Sequence, residues 1–184
     1  TRMNLTQKDY LTFLQYWKQI CEESGTSIAE RHFFKPSGIA TLLPNIFLLE
    51  VIPPEMLEVR IAGTSLDMLS AKTLTGNNFL DVCPPHERGI YWDVMQVMLQ
   101  KPCGSVITRE VTFRDGQIYT MKSLKFPLVD SSANRNFVVG LLGITNLDEA
   151  MVRPSGGAAK SKIIDQHYVD VGHGAPAEHP AAVV

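Results

Sequence analysis

The sequence predicts an α+β domain, and three observations carry that prediction. Apolar residues recur at helical spacing from Leu5 to Glu23 and again after Pro84-Pro85. Two strand-like runs, Ile46 to Ile52 and Leu57 to Gly63, lie between those helices. Beyond Pro102 the apolar period falls from about 3.6 residues to about 2, as it does where helices give way to strands. The 184 residues, 45% of them hydrophobic, suffice for one domain with its own core and exclude a mainly disordered chain. With 17 basic against 19 acidic side chains and no block of five like charges, nothing marks a surface for nucleic acid or an anionic membrane.

In the first helix Tyr10, Phe13, Leu14, Trp17, Ile20 and Cys21 form one stripe, Thr6 to Asp9 reads as a capping box, and Gly25 ends the helix. So aromatic a stripe must pack on its own sheet or on another subunit. Tyr10, Phe13, Leu14 and Trp17 are therefore the candidate homodimer contacts. A loop with Arg31, His32 and Lys35 leads to a helical turn near Ser37 to Leu43.

Ile46 to Ile52 is apolar on both faces except at Glu50, as a central strand is, while Leu57 to Gly63 alternates as a strand wet on one side does. The Pro53-Pro54-Glu55-Met56 link is short enough for a hairpin. Thr64 to Asp67 reads as a second capping box, with Thr64 accepting an amide hydrogen bond and Gly63 giving backbone freedom. After Gly76-Asn77-Asn78, Pro84-Pro85 opens a longer helix whose stripe is Ile90, Tyr91, Val94, Val97 and Met98. Val106 to Phe113, Gln117 to Phe126 and Asn136 to Thr145 are the last three strands, the first pair joined at Asp115-Gly116, a strong hairpin signal.

From Arg153 to Val184, 13 of 32 residues are Ala, Gly or Pro, the composition of a linker. Only 162 to 171 carries apolar side chains enough to dock. The chain thus divides into an N-terminal helix (1–26), a main domain (27–150) and a flexible tail (151–184). No apolar run nears the roughly 18 residues of a membrane helix. Three widely spaced cysteines, Cys21, Cys83 and Cys103, argue for a reducing compartment, and the expected location is cytoplasmic.

The run Leu43-Pro44-Asn45-Ile46-Phe47-Leu48-Leu49-Glu50-Val51, then Val59-Arg60-Ile61-Ala62-Gly63-Thr64, Leu74-Thr75-Gly76 and Pro127-Leu128, resembles the short stand-alone bacterial PAS-domain family over roughly residues 5 to 147. The resemblance implies a five-stranded antiparallel sheet with helices on one face, beside the N-terminal helix and the tail. It also implies a non-catalytic sensory or regulatory module in bacterial signalling, acting through a small ligand, a signalling-protein partner or both. No ligand role carries over onto Arg60, Gly63 or Thr64.

Arg60, Tyr91, Trp92, Met95, Tyr119 and Met121 are the candidate lining of a pocket for a small apolar ligand, because such pockets are apolar with a few polar handles. A filled core is the competing reading. No cofactor is expected. A flavin photocysteine is disfavoured because Asn77 to Cys83 lacks the Cys-Arg-Phe core, and haem would depend on His86 as axial ligand. Spacings of His32, His86, His167, His173 and His179 fit no common zinc site. The rival class is a small α+β cone enzyme of the isomerase or dehydratase type, which would need Asp81, Asp93 or His86 as an inward acid-base pair.

Overall fold

The computed structural model describes residues 3–146, 154 and 156–176. Thr6 opens α1 (Gln7–Ser24) as expected: the Asp9 carboxylate accepts from the Thr6 amide at 2.7 Å and from its hydroxyl at 2.8 Å. Gly25, at φ 69°, closes the helix with its amide on the Cys21 carbonyl. Two 3₁₀ stretches, Arg31–Phe33 and Pro36–Asn45, lead into β1 (Ile46–Ile52) and β2 (Met56–Ala62). Next come α2 (Thr64–Ser70), two further 3₁₀ turns (Phe79–Val82 and Pro85–Glu87) and α3 (Arg88–Gln100). The chain then forms β3 (Gly104–Phe113), β4 (Ile118–Asp130), β5 (Arg135–Ile144) and β6 (Ala158–Val169).

One antiparallel sheet runs in the order β2-β1-β5-β4-β3-β6. The sheet therefore has six strands, not the five expected. The sixth comes from the segment read as flexible tail: its apolar positions 162 to 171 dock by pairing along β3 from Gly104↔Val169 to Phe113↔Ala158. A linker composition hid this strand because most of its side chains are exposed; the backbone ladder holds it, helped by Ile163 and Tyr168 on one core cluster and Val169 and Val171 on the other. Of the 151–184 stretch, 151–153, 155 and 177–184 lie outside the described residues.

Both faces of the sheet are covered. On one, α1 lays Phe13, Trp17 and Ile20 against Leu48, Phe126, Leu128 and Val139. On the other, α3 lays Tyr91, Val94, Met95 and Met98 against Leu49, Val59, Ile107 and Val138. The α1 stripe is thus spent within the chain. Phe13 is 0% exposed, Trp17 stacks on Phe126 at 4.8 Å between centroids, and its indole N–H donates to the Pro127 carbonyl at 3.1 Å. Tyr10 is buried with its hydroxyl on the Lys122 carbonyl, and Leu14 packs at the margin of the same cluster. The four candidate dimer contacts therefore belong to this chain's own core.

The turn into α2 also differs from expectation. Gly63, not Thr64, is the N-cap, and its φ of −67° is ordinary. What requires glycine is space: a Cβ there would lie 2.3 Å from the Pro44 carbonyl oxygen and 2.4 Å from that of Leu43. The Asp67 carboxylate, expected to reach back to the cap, instead accepts from the Leu74 amide at 3.0 Å. The predicted β3–β4 hairpin forms as expected, with Gly116 at φ 84° and Asp115 accepting from the Gln117 amide.

Candidate functional site

The α3 face of the sheet does not pack shut. Between β1 to β4 and the layer made by α2, the Phe79–Val82 turn and α3 lies a cavity of about 520 Å³, within the range of small-molecule sites. Its walls are largely apolar, supplied by Phe47, Leu49, Leu66, Phe79, Met95 and Met121 among others. Room for the Phe47 ring comes from Gly140 on β5, where a Cβ would stand 2.1 Å from the ring. At the mouth, Gly156 and Gly157 precede β6 and lie against Arg114 and Ser70, and the Gly157 carbonyl accepts from the Arg114 amide at 3.1 Å.

Four cationic side chains line this cavity: Lys72, Arg109, Arg114 and Lys125. Among the described residues one carboxylate does, Asp81, exposed at the rim. Arg109 and Lys125 sit deepest. Alternation along β3 and β4 sends Ser105, Ile107 and Arg109, and Met121, Ser123 and Lys125, to the same face, with Arg109 opposite Met121 and Ser105 opposite Lys125. Lys125 is 2% exposed, and its ammonium donates to the Ser123 hydroxyl at 2.7 Å. Burial, reinforced by the nearby Arg109 charge, pulls its pKa down to about 7. The Arg109 guanidinium lies 5.9 Å from the centre of the Tyr91 ring. Burial pushes the Tyr91 phenol up to about 12, so it stays neutral. Among the described residues no carboxylate comes within ion-pair distance of either cation.

Of the residues chosen from sequence, the structure brings Tyr91, Met95 and Met121 to the cavity. Arg60 is not there: it points from the α1 face of β2 and pairs with Glu58 at 2.8 Å and Glu50 at 3.7 Å. Trp92 packs, partly buried, on the outer side of the α3 cluster, and Tyr119 is fully buried edge-on to Phe113. Arg109 and Lys125 are not recognisable as lining from the sequence, although each breaks an alternating strand with a charge. On a sheet wet on one side such positions face water, and the second cover was not legible.

His86 points outward, with 77% of its side chain exposed, and no described histidine lines the cavity. The axial imidazole that a haem reading rested on is thus not supplied. Asp81 and Asp93 are exposed as well, so the three groups considered for an acid-base pair do not converge. Cys83 and Cys103 are buried, with thiols pushed up by desolvation to about 12 and about 11. They are protonated, structural side chains rather than reactive ones. Among the described residues no cluster of three metal-ligating side chains exists, and no helix is long and apolar enough to cross a membrane.

A search of curated proteins finds no match to the chain. Comparison with protein families matches residues 5–143 to the PAS domain. That span runs from the residue before the Thr6 cap to the last-but-one residue of β5 and contains most of the cavity wall. The chain belongs to the PAS domain family, whose members serve in general as sensory and signalling modules.

Proposed function

We propose that this PAS domain is a non-catalytic sensor that binds a small molecule in the cavity between α2, α3 and the sheet. It passes the signal on through surface contacts with a partner protein or a second copy of the chain. The observation that carries the reading is the cavity itself: about 520 Å³ of largely apolar space, walled by the domain's own secondary structure, with a few polar groups converging at one end. A merely filled core would have closed this space, since interiors pack to crystal-like density.

The route outward is short. Arg109, deep in the cavity, lies on β3 and pairs with Ile163 of β6, the edge strand. The Ile163 amide also donates to the buried Glu87 carboxylate at 2.8 Å, tying β6 to the start of α3. A ligand that moves α3 or β3 therefore acts on an exposed strand edge, a surface suited to a partner.

Native mass spectrometry of the purified chain tests this reading and reports oligomeric state in the same spectrum. A non-covalent small-molecule adduct is expected in the wild type. It should be absent from Met95→Trp, whose indole fills the cavity. An adduct-free wild type whose melting temperature also ignores a panel of small amphiphiles contradicts the reading.

A further inference from the structure

We infer that the ligand is a small amphiphilic anion, with its carboxylate held between Arg109 and Lys125 and its apolar body against α2 and α3. This deepens the ligand-binding reading above and rests on it.

The fold leaves polar groups at the deep end of the cavity without adequate partners. Lys125 is 2% exposed, and among the described residues the Ser123 hydroxyl is its hydrogen-bond partner. That hydroxyl also donates, weakly, to the Ile107 carbonyl at 3.4 Å. Directly across the β3–β4 ladder, the buried Ser105 hydroxyl has no hydrogen-bond partner among the described residues. Arg109 projects from the same face and donates to the Tyr91 hydroxyl, a neutral partner; Glu87 acts on it only through its charge, forms no ion pair with it and already accepts from Ile163. Burying the Lys125 cation without a counter-charge is costly, and a second, half-buried cation beside it raises that cost.

A neutral apolar ligand would deepen this cost by removing cavity water and returning no charge. An anion reverses it. The guanidinium fork takes a carboxylate through two parallel hydrogen bonds, and the ammonium adds a third donor. The remaining wall is hydrocarbon from Phe47, Leu66, Leu69, Phe79 and Met95, which calls for an apolar tail. Lys72 and Arg114, nearer the rim, add same-signed charge that draws anions inward, against the single described carboxylate, Asp81.

The experiment measures binding of straight-chain carboxylates from four to twelve carbons, the matching alcohols, and inorganic phosphate. Calorimetry is run on wild type, Lys125→Met and Arg109→Met, each first shown to be folded by circular dichroism. The expected result is a best-fitting carboxylate at least about tenfold tighter than its alcohol, weakened about 10- to 100-fold by either substitution. Without any ligand and at pH 6, Lys125→Met should melt above wild type, because it removes a charge the fold does not neutralise.

Equal binding of carboxylate and alcohol overturns the anion while leaving a ligand-binding cavity. Phosphate binding as tightly as the best carboxylate overturns the apolar body. Lys125→Met melting below wild type at pH 6, unliganded, shows that the charged Lys125 is neutralised inside the fold and overturns the inference without any choice of probe. Failure of the whole series to bind takes down this inference and the cavity reading together.

Discussion

The Lys125 ammonium donates a 2.7 Å hydrogen bond to the hydroxyl of Ser123, two residues earlier on the same face of β4, and both side chains line the cavity. Burial first, and the Arg109 charge beside it, pull this lysine's pKa down to about 7, and a single neutral hydroxyl does not offset them. Its effect on stability has a defined sign. Between about pH 7 and the ordinary lysine value of 10.5, the unfolded chain binds a proton that the folded chain does not. Stability from this group therefore rises with pH above about 7, by up to about 1.4 kcal/mol per unit. The charged groups around it are Arg109 on β3, with Lys72, Arg114 and Asp81 lining the same space. Denaturant titrations from pH 6 to 9 should show wild type gaining on Lys125→Met as pH rises; parallel profiles contradict this.

Phe13→Ala should destabilise the chain by about 3–5 kcal/mol, since the ring is fully buried against Phe126 with centroids 5.4 Å apart. Phe13→Glu should abolish folding rather than release a folded monomer. A folded Phe13→Glu by circular dichroism would return α1 to the role of a removable interface helix.

Gly63→Ala should cost about 1–3 kcal/mol, because its methyl would run into the carbonyls of Leu43 and Pro44, which are backbone and cannot swing away. The comparison is Gly89→Ala on α3, where a Cβ meets nothing within 4 Å. That change should be neutral or mildly stabilising, as alanine is the better helix former. Urea midpoints of the two variants decide the matter, and equal midpoints contradict the close-approach argument.

Much of the fold is legible in the sequence, because α1, α3 and the β3–β4 hairpin each carry a periodicity plus a cap or turn residue. Thr6 and Asp9, Gly25, and Asp115-Gly116 all act as local chemistry requires. What is not legible depends on contacts distant in sequence. Nothing local says that Gly63 meets the carbonyls of Leu43 and Pro44, or that α1 returns to cover the far face. The β6 segment reads as linker because its contribution is largely backbone pairing, which composition does not encode. The site suffers most from this. Tyr91, Met95 and Met121 are recognisable as lining, whereas Arg109 and Lys125 become functional only once both faces of the sheet are covered.

The β6 amides that face β3 should resist hydrogen exchange. About every second amide of residues 162–169, those facing β3 between Gly104 and Glu110, should be protected well above a peptide reference. Exchange by mass spectrometry at the rate of an unstructured chain would restore the tail to a linker.

A buried lysine awaiting an anion has a titration that reports on it, that of Lys125 followed by NMR of its side-chain Cε resonance, assigned by its loss in Lys125→Met. In the free chain the midpoint should lie near pH 7, and saturation with the best-binding carboxylate should move it upward, towards the ordinary lysine range. A midpoint already near 10.5 in the free chain, unmoved by carboxylate, would contradict the account.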